Sequence, residues 1–235
     1  MMPKVSIIIP TLNEEARLPF CLNSLEGQSF RDFEVVVVDS GSEDRTVAVA
    51  RKHGAKVVYE PRLGFAVAKN FGAGESDGEL LVFTDADSLY PEDWLARIVQ
   101  RFARKDVVAV IGPIRPIEGG LLHKLMFKLA TDWLPRLTAL FGFYVAQAPN
   151  QAFRRSAFEK VGGYDEGLRM LEDNELPNRI TGVGRVTFEP SIWVYSSARR
   201  YEKEGYIRAT LRFLGAYWKI YVQKREAAED YPLYR

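Results

Sequence analysis

Short apolar runs rich in β-branched residues alternate with segments of helical periodicity along the chain as far as Gly112. The apolar runs read VSIII, FEVVVVD, AKVVYE, ELLVFT and VVAVIG. They are continuous rather than alternating in polarity, which is typical of strands buried on both faces. Repetition of strand and helix at this pitch predicts right-handed crossovers and an α/β fold, a mostly parallel sheet flanked by helices. In such sheets, ligands bind at the carboxyl ends of the strands.

The composition fits one globular domain and excludes several kinds of site. Of the 235 residues, 47% are hydrophobic, which is enough for one sizeable core. The formal net charge is only +1, so nucleic acid is not an expected partner. Cys21 is the only cysteine, which excludes an intramolecular disulfide and a zinc site built from several cysteines. No secretory or membrane-spanning segment is recognised, and a cytoplasmic location is therefore expected.

Small polar and acidic residues follow three of the predicted strands at the point where each strand ends. They are Thr11, Asn13, Glu14, Asp39, Asp85 and Asp87. Because the carboxyl ends of parallel strands share one edge of a sheet, these residues are expected along one edge. Asp85 and Asp87 lie one residue apart and are suited to hold Mg²⁺ or Mn²⁺ that also binds a substrate diphosphate. The alternative is that Asp85 caps the following helix and that Asp87 is solvated.

Asp39 ends the second predicted strand, in the segment VVVVDSGSEDRT. In nucleotide-binding α/β proteins, an acid at this position accepts hydrogen bonds from a ribose or a base. The alternative is capping of the next helix, a role for which Ser42 is the better candidate. The first strand–helix junction, PTLNEE, has neither the G-x-G-x-x-G loop nor the G-x-x-x-x-G-K-[ST] loop. This absence argues against a Rossmann dehydrogenase and a P-loop NTPase.

Adjacent acids, Glu172 and Asp173, occur in the segment RMLEDNELPNRI, with Glu175 close behind. Neighbouring residues on a helix point in different directions, so one acid can face a cleft while the other faces elsewhere. A carboxylate that faces the cleft is suited to act as a general base toward a hydroxyl nucleophile. The alternative is an acidic first turn that complements the helix dipole.

Five segments in order give the chain a family resemblance. They are VSIIIPTLNEE, VVVVDSGSEDRT, LLVFTDADS, NQAFRRSAFEKVGGYDE and LEDNEL. From residue 4 to about residue 200, the sequence resembles the inverting glycosyltransferases of family 2. The resemblance implies a GT-A fold over residues 1–200, with nucleotide and metal bound by about 1–112 and acceptor and base by about 113–200. It also implies inverting, metal-dependent transfer of a sugar from a UDP or GDP donor to a hydroxyl acceptor, either glycan or lipid-linked.

Particular residues match the motifs of this family, and the resemblance implies their roles. The nucleotide pocket is expected to include Pro10, Thr11, Asn13, Glu14 and Asp39, with Asp39 at the base. Asp87 is the expected direct ligand of Mg²⁺ or Mn²⁺, whereas Asp85 is expected nearer the ribose or the donor sugar while remaining a second candidate metal ligand. Lys69 and Asn70 match a segment beside the donor diphosphate.

The acids of LEDNEL match the family's catalytic motif. By the resemblance, Asp173 is the expected catalytic base and Glu172 supports it. The Q-x-x-R-W motif of processive polysaccharide synthases is missing, so non-processive transfer is expected. The segment SSARRYEKEG lies in that region instead, and Arg199 and Arg200 either bind a phosphate group or are solvated.

Two other functions remain open. A nucleotidyltransferase also uses acids and Mg²⁺ on a related core, although it normally has a Gly-rich loop after the first strand, and PTLNEE is not such a loop. A sugar-nucleotide-binding module without turnover would use the same pocket.

For two apolar segments, the sequence leaves open what their hydrophobic side chains pack against. Residues 121–141 are strongly apolar and are interrupted by Pro135, and residues 201–235 are predicted to form an amphipathic helical extension. Each segment could pack on the core, form a homodimer contact, or lie peripherally on a membrane.

Overall fold

The computed structural model describes residues 4–146, 148–168 and 170–197, together with Gly215. Its strands, in chain order, are β1 (Val5–Thr11), β2 (Phe33–Asp39), β3 (Lys56–Tyr59), β4 (Leu80–Phe83), β5 (Ser88–Leu89), β6 (Val107–Ile111), β7 (Ile114–Pro116), β8 (Gln151–Arg154), β9 (Arg185–Phe188) and β10 (Val194–Ser196). The helices are α1 (Leu18–Glu26), α2 (Thr46–Lys52), α3 (Phe65–Gly74), α4 (Trp94–Arg101), α5 (Leu121–Lys128), α6 (Leu134–Leu140), α7 (Arg155–Lys160) and α8 (Glu172–Arg179). A π-helical turn, Leu129–Trp133, joins α5 to α6, and a 3-10 turn, Ile180–Gly182, follows α8.

The predicted parallel sheet is confirmed. In the part of the chain that the structure describes, the main sheet has seven strands in the order β3-β2-β1-β4-β8-β6-β9. The strands β3, β2, β1 and β4 are mutually parallel, as helical crossovers require. Apolar side chains fill both faces of this sheet in two separate core clusters. Burial on both faces explains why the strands read as continuous apolar runs.

The second half of the chain joins the same sheet. Strand β8 lies antiparallel between β4 and β6, and β9 completes the edge beside β6. A three-stranded sheet, in the order β5-β10-β7, lies beside the main one within the described residues. Because β5 begins directly after Asp87, this small sheet starts at the predicted metal-binding segment.

The apolar segment 121–141 is a helix with a widened turn in its middle. The π turn ends two residues before Pro135, which has no N–H to donate to the carbonyl of residue 131 and whose ring crowds that carbonyl. Within this turn, the hydroxyl of Thr131 donates a hydrogen bond to the carbonyl of Ile114 on β7 at 2.8 Å. Helix α6 also contacts β9, so the helix lies against one edge strand of each sheet.

Several predictions fall on residues outside the described ranges. The helical extension at 201–235 and the pair Arg199 and Arg200 lie there, and they stay predictions. Among the described residues, no helix combines the length and the apolar character needed to cross a membrane.

Candidate active site

The register of the parallel strands brings the predicted strand-end residues to one edge of the sheet. Thr11 on β1 is paired directly with Asp39 on β2. Strand β4 runs beside β1 with Phe83 opposite Ile8, and the amide of Thr84 continues this pairing by donating to the Ile8 carbonyl at 3.1 Å. The chain that follows Thr84 therefore leaves the sheet beside the end of β1. Because strand ends in such sheets border the ligand crevice, Asp85 and Asp39 lie where a nucleotide is expected.

Two loops close this edge by bonding to each other. Asn13 has a left-handed backbone (φ 56°), and its amide donates to the Ser42 hydroxyl at 2.9 Å. The side-chain oxygen of Asn13 accepts from the amide of Glu43 at 2.9 Å. The amide of Glu14 donates to the Thr46 hydroxyl at 2.8 Å. These bonds hold the PTLNEE junction against the loop that follows Asp39.

Asp39 supports the turn that follows it. Its carboxylate accepts hydrogen bonds from the amides of Gly41 and Ser42, at 3.1 and 3.0 Å, and from the Ser42 hydroxyl at 2.5 Å. The expectation that Ser42 caps the next helix is wrong, because α2 begins only at Thr46, whose amide donates to Asp44 at 2.9 Å. Any contact of Asp39 with a nucleotide must therefore use the lone pairs that remain after it has stabilised this turn.

Asp85 and Asp87 are both partly exposed, whereas Thr84, Ala86 and Ser88 are buried. Exposure alternates from residue 85 to residue 90, with the even-numbered residues buried and the odd-numbered ones partly exposed. The segment is anchored through the carbonyl of Asp85, which accepts from the amide of Ser88 at 3.2 Å and from the Tyr90 hydroxyl at 3.4 Å. Asp85 and Asp87 therefore flank a turn at which both residues remain partly accessible to a ligand.

The donor set can be compared with the needs of a divalent cation. Two partly exposed aspartates, one residue apart, supply hard oxygen ligands, which suit Mg²⁺ or Mn²⁺. Among the described residues, no group of three or more potential ligand side chains could hold a metal. The arrangement fits a cation that completes its coordination with water and a substrate diphosphate rather than one enclosed by protein.

Glu172 and Lys69 form a buried ion pair. Lys69 on α3 is fully buried, and its ammonium group donates to Glu172 at 3.0 Å. The ammonium also lies 4.8 Å from the ring centre of Tyr164. Burial alone would lower the pKa of Lys69, but the carboxylates of Glu172, Asp173 and Asp85 raise it above its usual value. Lys69 is thus a charged group enclosed by acids rather than a side chain on the surface of a cleft.

Asp173 has the opposite environment from its neighbour. Its side chain is only half-buried, whereas that of Glu172 is buried. Desolvation and the negative charge of Glu172 raise the pKa of Asp173 to about 7, while Lys69 and a hydrogen bond from Asn174 act in the other direction. The Asn174 amide donates to the carboxylate at 2.8 Å. A carboxyl group poised near neutral pH is suited to general base catalysis.

Backbone strain lies directly before these acids. Leu171, the N-cap of α8, has a left-handed conformation (φ 63°) although it carries a buried side chain. Such a conformation costs about 1–3 kcal/mol for a non-glycine residue and concentrates at functional sites. It sets the direction in which α8 starts and hence the direction in which Glu172 and Asp173 point.

Gln151 connects the acids of the second half to the edge of the sheet. Gln151 lies opposite Phe83 in the β4–β8 register, and Phe83 is two residues before Asp85 in the chain. Its side-chain amide donates to the carbonyl of Asp173 at 2.9 Å, and its oxygen accepts from the Tyr164 hydroxyl at 3.1 Å. The charge of Asp85 accordingly contributes to the raised pKa of Asp173. The site thus combines acids from both halves of the chain.

Several residues in this site were not singled out by the sequence. Gln151 and Tyr164 occur in the segment NQAFRRSAFEKVGGYDE, and Asn174 follows the acidic pair, but nothing in their spacing reveals the contacts they make. Asn70, expected beside a diphosphate, instead binds the backbone of Tyr164 at both its N–H and its carbonyl, each at 2.8 Å. Asn70 therefore holds the Tyr164 loop against α3.

An aromatic surface lies on the small sheet that begins directly after Asp87. Leu89 is opposite Tyr195 in the small sheet, and Tyr195 is opposite Arg115, so the three side chains share one face of that sheet. The rings of Trp193 and Tyr195 meet edge to face with centres 4.9 Å apart, and the Arg115 guanidinium lies 3.8 Å from the centre of the Trp193 ring. These residues, which the sequence did not point to, form a partly exposed wall beside the predicted metal-binding segment.

Comparison with known proteins decides the family. Residues 6–162 match the sequence profile of Glycosyl transferase family 2. The chain belongs to this family. The resemblance stated from the sequence motifs is thereby confirmed, and the glycosyltransferase class replaces the more general nucleotide-binding classes.

Two relatives in this family are informative. A PGL/p-HBAD biosynthesis glycosyltransferase of Mycobacterium bovis is 34% identical over 191 residues, which cover 73% of this chain and 67% of the relative. A 4,4'-diaponeurosporenoate glycosyltransferase of Staphylococcus haemolyticus is 42% identical over 211 residues, covering 78% of this chain and 56% of the relative. The chain thus spans little more than half of the staphylococcal relative.

Solved structures of glycosyltransferases share the fold. Mannosyltransferase PcManGT from Pyrobaculum calidifontis, in complex with GDP-Man and Mn²⁺, has a TM-score of 0.70 and 26% identity, and the match covers 92% of this chain and 61% of that protein. S. aureus TarS in complex with UDP-GlcNAc has a TM-score of 0.67 and 22% identity, with 83% and 59% of the two chains covered, and shows likeness of fold alone. The predicted GT-A fold of this family 2 member is confirmed.

Proposed function

We propose that this chain is an inverting, metal-dependent glycosyltransferase that moves one sugar at a time from a nucleoside-diphosphate donor to a hydroxyl acceptor. The observation that carries the proposal is the position of Asp173 at the start of α8, where its carbonyl accepts from Gln151 of the central sheet and its carboxylate accepts from Asn174. Burial and the charges of Glu172 and Asp85 raise the pKa of its carboxyl group to about 7, and Asp85 follows strand β4 in the nucleotide half. A base at one side of the crevice and cation ligands at the other are what a single displacement needs.

The proposed step transfers one proton and one glycosyl group. Asp173 takes the proton of the acceptor hydroxyl as the acceptor oxygen forms a bond to the anomeric carbon. The bond between that carbon and the diphosphate oxygen breaks, and its electron pair leaves with the nucleoside diphosphate. Attack opposite the leaving group inverts the anomeric configuration. Glu172 is proposed to stay paired with the ammonium group of Lys69, 3.0 Å away, and to take no part in the proton transfer.

The donor half of the proposal rests on the strand ends. Thr11, Asn13, Glu14 and Asp39 are proposed to surround the nucleotide beside Pro10. Asp87 is proposed to bind Mg²⁺ or Mn²⁺, with Asp85 nearer the ribose or the donor sugar. When bound, the cation would neutralise charge on the leaving diphosphate. The GDP-Man, Mn²⁺ and UDP-GlcNAc bound to the structurally similar enzymes support a nucleotide-sugar donor of this kind.

The role proposed for Lys69 differs from the one that the motif implied. Because the ammonium is fully buried on Glu172, we propose that it positions the acidic pair and does not contact the diphosphate directly. Its positive charge also lowers the pKa of Asp173 and thereby keeps the base partly ionised near neutral pH.

The acceptor is proposed to bind over the aromatic wall of the small sheet, as either a glycan or a lipid-linked sugar. Trp193 and Tyr195 offer ring faces and edges next to the segment that carries Asp87. Aromatic side chains of this kind supply large contact areas for rings and apolar groups.

Replacement of Asp173 by Asn tests the proposal. GDP-mannose and UDP-GlcNAc would be incubated with Mn²⁺ and glycan or lipid-linked acceptors, and release of nucleoside diphosphate would be followed. A panel of UDP, GDP and dTDP sugars, scored by thermal shift, would first select the donor. Asp173→Asn should lower transfer by about 10²- to 10⁴-fold with donor affinity retained. Glu159→Gln, which removes an exposed carboxylate on α7, is the matched control and should leave transfer unchanged.

The outcomes separate the competing functions. Transfer at the parent rate by Asp173→Asn would contradict the base assignment, and a product that retains the donor's anomeric configuration by NMR would contradict inversion. Release of pyrophosphate would favour a nucleotidyltransferase. Donor binding without turnover by the unaltered protein would favour a binding module.

A further inference from the structure

The outer surface of the helix at residues 121–140 is apolar and exposed. Six of its leucines, and the phenylalanine that follows it, are at least 47% exposed: Leu121, Leu125, Leu129, Leu134, Leu137, Leu140 and Phe141, with Leu121 at 86% and Phe141 at 82%. Trp133, in the π turn, is 56% exposed. We call this surface the outer helical face. Proteins that remain free in water rarely expose so much contiguous apolar area, which normally marks an interaction surface.

Contacts between the helix and the two sheets do not account for the exposed leucines. The helix is held against the two sheets through Thr131 and Pro135, which are buried, and through the bond from Thr131 to Ile114. The leucines at positions 121, 125 and 129 recur every four residues and form a row on the side that the sheets leave uncovered. The apolar row therefore contributes little to the core of the domain.

Positive charge borders the row on one side. Lys124 and Lys128 are four residues apart, both exposed, and they form the row next to the leucines. Trp133 lies near the Arg136 guanidinium, with 5.6 Å between the charged carbon and the ring centre. Apolar side chains, an exposed tryptophan and bordering lysines are the combination found in helices that lie in the interface of a bilayer.

The charges favour a lipid surface over a second copy of the chain. Asp132 is the only acidic residue between positions 121 and 141, and it is already paired with Arg136 at 2.6 Å. A two-fold contact through this face would bring two lysine pairs together without acidic partners from the helix. Anionic lipid headgroups would neutralise both lysines.

We propose that the outer helical face docks on an anionic membrane surface, with the leucine row in the headgroup region and Lys124 and Lys128 on lipid phosphates. The same helix contacts β7, which belongs to the small sheet that begins beside Asp87. Docking would therefore place the acceptor side of the site close to the bilayer. Only this last consequence rests on the proposed function.

The test is sedimentation of the full-length protein with vesicles. Vesicles of equimolar phosphatidylcholine and phosphatidylglycerol are compared with vesicles of phosphatidylcholine alone, at low and high salt. The protein should bind the anionic vesicles and should be released by salt. The double variant Leu125→Glu/Leu137→Glu should lower the partition coefficient at least about tenfold for each substituted leucine, because each loses its apolar burial. Lys124→Glu/Lys128→Glu should lower it about fivefold or more for each lysine on anionic vesicles only.

A matched control and an independent measurement keep the test decisive. Phe20→Glu replaces a side chain that is 66% exposed on α1, away from the face, and should bind vesicles like the parent. All the altered side chains are exposed, so the thermal midpoints and the nucleotide affinities of the variants should match those of the parent. Absence of vesicle binding by the parent would overturn the proposal. A loss of vesicle binding in Phe20→Glu as large as that in Leu125→Glu/Leu137→Glu would overturn it too. A dimer in sedimentation velocity that Leu125→Glu/Leu137→Glu dissociates, without vesicle binding, would assign the face to a second copy.

Discussion

Two pairs of acidic residues meet in the candidate site, and their spacing gives them different environments. Asp85 and Asp87 are separated by one residue at a turn, and both are partly exposed. Glu172 and Asp173 are adjacent at the start of a helix, so one points into the protein toward Lys69 and the other stays half-buried beside Asn174. Paired acids can bind one ligand when both are accessible, and they can take separate roles when one is buried.

The two pairs also differ in the contacts that hold them in place. The first pair follows a strand of the parallel sheet, and backbone hydrogen bonds of neighbouring strands place it. The second pair depends on side chains that are distant in the sequence, namely Lys69, Gln151 and Tyr164. Substitutions that remove a partner should therefore affect the second pair most strongly.

The largest effect on stability is expected at Lys69. Lys69→Met leaves the buried carboxylate of Glu172 without its cation and should lower the free energy of unfolding by about 3–5 kcal/mol. Lys69→Met/Glu172→Leu, which removes both charges, should regain most of the loss. The control Arg45→Met breaks an exposed pair and should cost less than about 1 kcal/mol. Urea unfolding measures all three, and equal costs for Lys69→Met and Arg45→Met would mean that the buried pair does not stabilise the fold.

A smaller effect, on ligand affinity, is expected at the first pair. Asp87→Ala should weaken Mn²⁺-dependent binding of UDP or GDP by about tenfold to hundredfold, because a cation ligand is lost. Asp85→Ala should weaken binding with and without Mn²⁺, since this residue is assigned to the ribose or donor sugar. Calorimetry with and without EDTA distinguishes the effect of Asp87→Ala from that of Asp85→Ala. Asp77→Ala, which removes an exposed loop acid, serves as the control. Nucleotide affinity that responds neither to EDTA nor to Asp87→Ala would remove the cation from the proposal.

The smallest effect is expected from the hydrogen bond that Asn174 donates to Asp173. The rate of transfer should rise as the pH increases through about 7, because the base must be ionised. The Asn174 bond lowers the pKa of Asp173, so Asn174→Ala should move the profile to higher pH and reduce transfer about twofold to fivefold below pH 7. Asn23→Ala on the exposed side of α1 should leave the profile in place. A profile that is lowered equally at every pH would indicate a structural role for Asn174 instead.

The stability of the protein should fall as Asp173 ionises, whereas the rate of transfer should rise. The folded-state pKa of this carboxyl lies above its ordinary value, so folding favours the protonated form. Its contribution to the free energy of unfolding is present at low pH and is lost as the pH rises through about 7. Asp173→Asn should flatten this part of the stability profile, which denaturation at several pH values would detect.

Sequence patterns predicted the first half of the molecule more fully than the second. The apolar runs identified β1, β2 and β4, and their order placed Thr11, Asp39 and Asp85 at strand ends. Strand β8 was not foreseen, because four residues in the segment NQAFRRSAF carry no periodicity that distinguishes a strand inserted antiparallel between β4 and β6. The capping role was assigned to Ser42, whereas Asp39 supports the turn and Asp44 binds the first amide of α2. Local preferences alone do not distinguish between neighbouring capping residues.

The sequence by itself determined the alternation of strands and helices, the parallel sheet, and the edge at which the acidic residues gather, because periodicity and strand order are local properties. The family motifs then indicated which acids matter. Only the tertiary structure decided that Lys69 is enclosed on Glu172, that Gln151 binds the backbone of Asp173 at the sheet edge, and that the two sheets leave the outer helical face exposed. These features depend on side chains that are far apart in the chain and meet only when two sheets and a widened helix pack together.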